Sequence, residues 1–212
     1  MTSALSLADL RIPDDHTLFL SADTGTFMSA LLVAVSRDFH AFVLAEFPNY
    51  RYVSDQIELN NLSTPEWAAA VVTVTKALGG SPKAWADPNT QFRAELRHYG
   101  LHLRANRIGP DVRVTIAREY FRHDRVHLAP WLQILPYELE NAKWPDAPTS
   151  GGRYTRLRKH DHTLVCLEHV LSRRPRATLP KAARTKTFLE QYILDHRIPG
   201  YRTGTDIHLG IE

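Results

Sequence analysis

The chain contains a single cysteine in 212 residues and has no long hydrophobic run. Cys166 by itself excludes an internal disulfide bond and a zinc site built on several cysteines. Because it lies among apolar residues, we expect a buried and unreactive thiol. No apolar stretch approaches the roughly 20 residues that cross a bilayer, and residues 1–15 lack the basic and apolar regions of a secretory signal. These absences predict a cytoplasmic protein without a membrane partner.

Motifs that identify a reaction are also missing. The 10 glycines are scattered, which excludes a glycine-rich phosphate loop, and the Gly-x-Ser-x-Gly sequence of many hydrolases does not occur. The tripeptide Asp23-Thr24-Gly25 also occurs in aspartic proteases, but a helical pattern follows it here. We interpret it as a turn that begins a helix. The sequence therefore predicts no cofactor and no metal site, and it leaves open whether the protein is an enzyme.

Charge is distributed unevenly along the chain. Residues 1–90 carry 5 basic and 10 acidic side chains, whereas residues 91–212 carry 21 basic and 13 acidic ones. The strongest bias falls between residues 153 and 186, where ten basic residues accompany only Asp161 and Glu168. The basic residues of this segment are Arg153, Arg156, Arg158, Lys159, Arg173, Arg174, Arg176, Lys181, Arg184 and Lys186. Such a surplus favours a polyanionic partner, of which nucleic acid is the most common.

The hydrophobic pattern predicts an α+β fold, with a helix-rich body, a small antiparallel sheet and a C-terminal basic helical pair. Apolar residues at helical spacing predict helices at about 26–47, 63–78 and 88–99, and alternation predicts a strand at 52–59. Ser63 to Glu66 matches a capping box that starts the second helix, and Asp87 and Gly100 are the predicted cap and stop of the third. We expect residues 1–145 to form the α+β body and residues 153–212 a basic helical subdomain, with a linker at 144–152. The two parts can also pack as one domain.

Residues 101–119 predict a β-hairpin. Apolar and polar residues alternate on both sides of Gly109-Pro110-Asp111, which has the composition of a turn. The polar face of this hairpin would carry Arg104 and Arg113 as a small phosphate-binding patch. The solvent-facing side of an ordinary sheet is the simpler interpretation, since alternation alone produces such a face.

Two helices are predicted in the basic segment, at about 159–172 and 180–195. A narrow apolar stripe on each would pack on the body, and the basic side chains would face outward. Together with the arginine-rich connector, the helices would straddle a phosphate backbone. The predicted nucleic-acid-binding residues are therefore Arg104, Arg113 and the ten basic residues of this segment.

The 11 histidines provide weaker candidates for catalysis. Imidazoles four residues apart on a helix, or two flanking a carboxylate, are typical of metal sites and acid–base pairs. The candidate catalytic residues are His102, His127, His160 and Asp161. Metal-dependent phosphohydrolases also contain an ordered set of His, His-Asp and Asp, but that class is all-helical, whereas strands are predicted at 101–119.

The leading hypothesis is a nucleic-acid-associated protein that grips the phosphate backbone through its C-terminal basic region. An alternative is an enzyme that acts on a phosphorylated or nucleotide substrate, with arginine and histidine in its site. A second alternative is an assembly subunit whose oppositely charged halves associate head to tail, as a homo-oligomer. The sequence does not distinguish DNA from RNA as the partner.

Overall fold

The computed structural model describes residues 16–77, 82–142 and 161–175. There, a six-stranded mixed sheet lies between two layers of helices, and a separate two-stranded hairpin extends from it. The elements are β1 (Thr17–Asp23), β2 (Ser29–Val35), β3 (Ala41–Glu46), β4 (Tyr50–Val53), β5 (Gln56–Leu59), α1 (Thr64–Ala77), β6 (Lys83–Ala86), α2 (Thr90–His98), β7 (Arg104–Ala105), α3 (Pro110–Arg122), β8 (Val126–Leu128), α4 (Ile134–Asn141) and α5 (His162–Ser172). The predicted α+β class is confirmed. None of the described helices is long and apolar enough to cross a membrane.

The large sheet has the strand order β7-β6-β1-β2-β3-β8. Its centre is an antiparallel meander of β1, β2 and β3, whereas β6 runs parallel to β1, β7 runs parallel to β6, and β8 runs parallel to β3. Helices α1 and α2 cover one face, and α3, α4 and α5 cover the other. The carboxyl ends of β1, β6 and β7 therefore meet at the same edge of the sheet.

The helix predicted at 26–47 is wrong, because this segment forms the central strands β2 and β3. All residues of both strands are buried, since helices cover both faces of the sheet. A strand buried on both faces reads as a continuous apolar run, so its period of two disappears from the sequence. The turn between the strands includes Phe39, whose φ of 64° lies in the left-handed region.

The strand predicted at 52–59 is a hairpin of two shorter strands, β4 and β5. Ser54 and Asp55 connect them with φ values of 48° and 62°. Two successive left-handed residues are typical of the tight turns that match the twist of a hairpin. The alternation thus indicated extended structure but did not locate the turn.

The hairpin predicted at 101–119 is also wrong. Residues 104–105 form the short strand β7, and residues from Pro110 to Arg122 form helix α3. The buried residues of α3 are Arg113, Ala117 and Tyr120, whose spacing is helical. Pro110 in the first turn, after Gly109, is a helix-start signal that the alternation of valines obscured.

The helices predicted at 63–78 and 88–99 are confirmed as α1 and α2. The capping box forms as expected: the Ser63 backbone N–H and hydroxyl donate to Glu66 Oε2 at 2.9 and 2.6 Å. Gly100 follows α2 with a φ of +89°, which suits a helix stop. The N-terminal cap of α2 is Asn89 and not the predicted Asp87: the Asn89 Oδ1 accepts from the Phe92 N–H at 3.1 Å.

Helix α5 confirms the first of the two predicted C-terminal helices, but its environment differs from the prediction. Residues 163–172 are all buried, and the helix packs against β1, β2 and α3. A narrow apolar stripe on an otherwise solvated helix was expected, whereas α5 lies in the interior of the body. The linker at 144–152 and the helix at 180–195 lie outside the described residues, so the division into two domains stays a prediction.

Candidate functional site

The candidate site lies where the parallel strands β1, β6 and β7 end. Ala22 pairs with Ala86, and Ala86 pairs with Ala105, so these three residues are neighbours across the sheet. The residue that follows each of them in the chain is polar: Asp23, Asp87 and Asn106. Crevices outside the carboxyl ends of such strands are common ligand sites in α/β sheets.

Helix α5 closes this edge of the sheet from above. It begins at His162, directly after the buried Asp161, and both residues line a cavity of about 580 Å³ together with the strand ends. The size is typical of a small-ligand site. The cavity is lined by Asp23, Asp87, Pro88, Asn106, Arg107, Ile108, Gly109, Pro110, Arg113, Asp161, His162, Val165 and His169. Three carboxylates from three different elements thus open onto one space.

Asp23 is held by α5. Its Oδ2 lies 2.9 Å from His162 Nδ1, and its backbone N–H donates to Cys166 Sγ at 3.1 Å. Burial acts to lower the pKa of His162. The hydrogen bond to Asp23 and the negative charges of Asp23, Glu138 and Asp161 together outweigh burial, so the net pKa is raised. Cys166 is fully buried, as predicted, and burial raises the pKa of its thiol.

Asp87 is held by the loop that follows β1. Its Oδ1 accepts from Thr24 Oγ1 at 2.9 Å and from the Asn89 N–H at 3.2 Å. Burial raises the pKa of Asp87, the two hydrogen bonds oppose this, and the negative charge of Asp23 adds to the increase. The two carboxylates therefore interact electrostatically. A site that brings like charges together favours the binding of a cation.

The loop after β1 is itself fixed by Asn49. The Asn49 Oδ1 accepts from the Met28 N–H at 2.6 Å, and its Nδ2 donates to the Thr26 carbonyl at 3.1 Å. Asn49 is 4% exposed, so these bonds are made in the protein interior. The side chain therefore fixes the course of the turn that presents Thr24 to Asp87.

A buried polar network supports the start of α5. The Oε1 atom of Glu138 in α4 accepts from the hydroxyls of Tyr50 and Tyr52 at 2.7 and 2.9 Å, and its Oε2 accepts from the Leu164 N–H at 2.7 Å. Burial is the main cause that raises the pKa of Glu138 to about 7. Thr163 extends the network, since its hydroxyl lies 2.8 Å from the Tyr50 hydroxyl. The hairpin, α4 and α5 are thus joined directly beside the pocket.

The carboxylates suit a divalent cation by their chemistry. Mg²⁺ and Mn²⁺ prefer oxygen ligands, and Mg²⁺ commonly binds to one or two carboxylates, water and the phosphates of its substrate. Within residues 16–77, 82–142 and 161–175, no three His, Cys, Asp or Glu side chains are arranged to hold a metal by themselves. However, Asp23 Oδ1 and Asp87 Oδ2 receive no hydrogen bond from the described residues. The pocket fits a cation whose coordination a substrate completes.

The three candidate catalytic residues that the structure describes, His102, His127 and Asp161, do not lie together. Asp161 lies in the pocket, and its neighbour His162, which was not a candidate, is hydrogen-bonded to Asp23 there. His102 is exposed in the loop before β7, and His160 lies outside the described residues. His127 lies in β8 at the far edge of the sheet, where its Nε2 is 2.8 Å from Nδ1 of His40.

Four of the twelve predicted phosphate-binding residues lie in the described part of the chain: Arg104, Arg113, Arg173 and Arg174. Arg104 is exposed on β7, whereas Arg113 is 6% exposed on the inner side of α3. The polar hairpin face that was to unite them does not exist, because α3 is a helix. Arg173 and Arg174 follow α5, and Arg173 Nη2 donates to the Ala105 carbonyl at 3.1 Å. The remaining residues lie outside the described ones: Arg153, Arg156, Arg158, Lys159, Arg176, Lys181, Arg184 and Lys186.

Sequence reasoning missed Asp23 and Asp87. Asp23 was interpreted as part of a turn before a helix, and Asp87 as the cap of α2. The available signal was their position, because each ends a short apolar segment, Leu18–Ala22 and Ala84–Ala86. The parallel pairing of β1 with β6, which brings the two together, joins residues more than 60 positions apart and leaves no local pattern.

Comparison with solved structures shows a fold like that of bacteriophage large terminase nucleases. The nuclease domain of the P22 large terminase matches with a TM-score of 0.59 at 10% identity, over 82% of this chain and 89% of that one. The nuclease domain of the SPP1 large terminase, with bound Mn, matches with a TM-score of 0.57 at 14% identity, over 82% of this chain and 95% of that one. At these identities the similarity concerns the fold.

The match also extends to a longer terminase. The large terminase of a thermophilic bacteriophage matches with a TM-score of 0.60 at 12% identity, over 74% of this chain and 39% of that one. This chain therefore spans about two fifths of the length of that protein. No protein-family model and no curated protein sequence matches the chain.

Proposed function

We propose that this protein is a nuclease that hydrolyses DNA phosphodiester bonds in the pocket, with the help of a divalent cation. The observation that carries the proposal is the placement of Asp23 and Asp87 at the adjoining ends of two parallel strands, beside Asp161 at the start of α5. The like charges of Asp23 and Asp87 repel each other, and this repulsion contributes to the raised pKa of Asp87. A bound cation would offset this repulsion.

The similarity to terminase nucleases supports DNA as the substrate. Solved structures of that fold are described as nuclease domains, and two of them contain bound manganese or cobalt. Both ions accept the oxygen ligands that this pocket offers. An enzyme that acts on nucleic acid also unites the two leading hypotheses from the sequence, an anionic polymer as partner and a phosphate ester as substrate.

The residues have distinct roles in this proposal. Asp23 and Asp87 would hold the cation, and Asp161 completes the acidic wall of the pocket. When bound, the cation supplies a Lewis acid that polarises the phosphoryl oxygens. His162 orients Asp23 through the 2.9 Å hydrogen bond, so it acts as a positioning residue. Glu138 and Thr163 fix the first turn of α5, which determines where Asp161 and His162 point.

The basic C-terminal region contributes affinity in this proposal. Its arginines and lysines would contact the phosphate backbone outside the pocket, which does not depend on base sequence. Arg173, the first residue after α5, is bonded to the backbone of β7 and so lies on the pocket side of the sheet edge. DNA binding should therefore weaken steeply as the salt concentration rises.

The test compares two pocket variants with a matched control. Asp23→Asn and Asp87→Asn keep the side-chain volume and remove a charge, whereas Asp38→Asn makes the same change at an exposed turn between β2 and β3. We expect Mg²⁺- or Mn²⁺-dependent cleavage of plasmid DNA to fall more than about a hundredfold in both pocket variants, since loss of outer-shell partners alone costs 10- to 100-fold. The control should cleave like wild type.

Two results would contradict the nuclease proposal. One is DNA cleavage by Asp23→Asn and Asp87→Asn at the wild-type rate. The other is the absence of any divalent-dependent cleavage of DNA by the wild-type protein across Mg²⁺, Mn²⁺ and Co²⁺. Circular dichroism of each variant checks that it is folded, so that a loss of activity is not caused by unfolding.

A further inference from the structure

The pocket has two walls of opposite charge. The acidic wall contains Asp23, Asp87 and Asp161, whereas the second wall is the loop that follows Asn106, residues 107–110, together with Arg113. No carboxylate of this second segment lines the cavity. It contributes two guanidinium groups instead, Arg107 and Arg113. A cavity polarised in this way suits a ligand with more than one charged centre.

Arg107 is presented by a rigid loop. The side chain of Asn106, which is 1% exposed, donates from Nδ2 to the His169 carbonyl at 3.3 Å and to Ser172 Oγ at 3.2 Å. Its Oδ1 accepts from the Ile108 N–H at 3.1 Å. The backbone on both sides of Arg107 is therefore tied to α5 or to Asn106 itself. The Arg107 side chain remains exposed at the mouth of the pocket.

Arg113 adds a second, deeper cation to this wall. Its side chain is largely buried on the first turns of α3, and its Nη1 donates to the Ile108 carbonyl at 3.4 Å. The N-terminus of α3, at Pro110, lines the same wall, and helix N-termini favour anions. Arg107 therefore shares this wall with a buried guanidinium and with the start of a helix, both of which are fixed in place by the fold.

We infer that this wall, and Arg107 above all, binds a backbone phosphate adjacent to the one that is cleaved. The inference rests on the proposed function, because the acidic wall with its cation takes the scissile phosphate. The next phosphate along the same DNA strand does not contact this cation, so the carboxylates of the acidic wall would repel it. The second wall offers it bidentate guanidinium recognition. Arg107 is therefore a positioning residue for the DNA strand and takes no part in the chemistry.

The test measures DNA binding without cleavage. A fluorescein-labelled DNA duplex is titrated with the full-length protein in EDTA at several salt concentrations. We expect Arg107→Gln to weaken binding about tenfold, as for the loss of one charged hydrogen-bond pair, and to lower the slope of log K against log salt by about one. Arg97→Gln, which removes an exposed arginine from the last turn of α2, serves as the matched control and should change neither.

A second readout separates positioning from a general loss of charge. In cleavage assays Arg107→Gln should raise KM more than it lowers kcat, and Arg107→Lys should restore the salt slope but only part of the affinity, because lysine lacks the planar fork. Equal affinity and salt slope in Arg107→Gln and Arg97→Gln would overturn the inference.

The outcomes also separate this inference from the nuclease proposal. If Arg107→Gln binds DNA like wild type while Asp23→Asn abolishes cleavage, the phosphate site is wrong and the nuclease proposal stands. If Arg107→Gln binds weakly while Asp23→Asn cleaves normally, the wall still binds phosphate, and the acidic wall is not the catalytic site.

Discussion

The two faces of the central sheet differ in what they bury. The face under α1 and α2 is packed with apolar side chains around Trp67 and Leu96. The face under α3, α4 and α5 contains a second apolar cluster, but polar groups are buried within it, among them Ser29, Thr163 and Glu138. One face therefore serves mainly stability, and the other combines stability with the candidate site.

Strand β1 shows this division within seven residues. Leu18, Leu20 and Ala22 belong to the apolar cluster under α1 and α2. Phe19 belongs to the opposite cluster, and by the alternation of a strand Ser21 and Asp23 lie on that same face. Towards the pocket, therefore, the face of β1 under α3, α4 and α5 becomes polar, whereas its other face stays apolar. Because a slip by one residue would exchange the two faces, the register of β1 with β2 and β6 places Asp23.

The largest loss of stability is expected from a substitution on the apolar face, under α1 and α2. Trp67 is 1% exposed, and its Nε1 donates to the Phe47 carbonyl at 2.6 Å. Trp67→Ala should lower the free energy of unfolding by about 3–5 kcal/mol, because it leaves a large cavity. DNA affinity of the folded protein should not change. Denaturant titration and fluorescence anisotropy measure the two quantities.

A milder variant covers the case in which Trp67→Ala does not fold. Trp67→Phe keeps most of the ring volume and removes the hydrogen bond, so we expect a loss of about 1–2 kcal/mol. Two results would contradict the separation of roles between the two faces. One is an unfolding free energy of Trp67→Phe equal to that of wild type, and the other is a fall in DNA affinity as large as the fall in stability.

On the polar face, we expect Glu138 to make the free energy of unfolding depend on pH. Burial raises the pKa of this carboxyl to about 7 in the folded protein from an ordinary value near 4.5. The folded state therefore holds a proton that the unfolded chain has lost, and the stability from Glu138 declines as the pH rises from about 4.5 to about 7. A shift of this size corresponds to about 3 kcal/mol.

Glu138→Gln is the variant that isolates this contribution. The amide does not titrate, so the unfolding free energy of the variant should fall less than that of wild type between pH 5 and pH 8. Burial also raises the pKa of Glu46 and of Asp87, but both groups remain in the two proteins and cancel in the difference. Parallel stability curves for the two proteins would mean that Glu138 is ionised throughout.

The sequence predicted the elements whose signals are local. Helix α1 was found through its capping box and apolar stripe, and α2 through its periodicity and Gly100. Strands β2 and β3 were missed because burial on both faces removes the alternation that identifies a strand. Helix α3 was missed because valines at every second position imitate a strand, although Pro110 marked its start.

The candidate site was largely hidden from the sequence for a related reason. Asp161 was noted, but as part of a histidine cluster, and its importance here comes from α5 packing over β1. Asp23 and Asp87 meet only through parallel pairing of distant segments, which no local pattern encodes. The expected cationic surface of the C-terminal region stays a prediction, since most of its members lie outside the described residues.

The central claim is that the pocket carboxylates hold a divalent cation. Isothermal titration calorimetry of Mn²⁺ with the full-length protein tests it without relying on catalysis, using Asp23→Asn, Asp87→Asn and the control Asp38→Asn. The account predicts one Mn²⁺-dependent heat signal that weakens at least about tenfold in both pocket variants and is unchanged in the control. Equal Mn²⁺ affinity in all four proteins would contradict it.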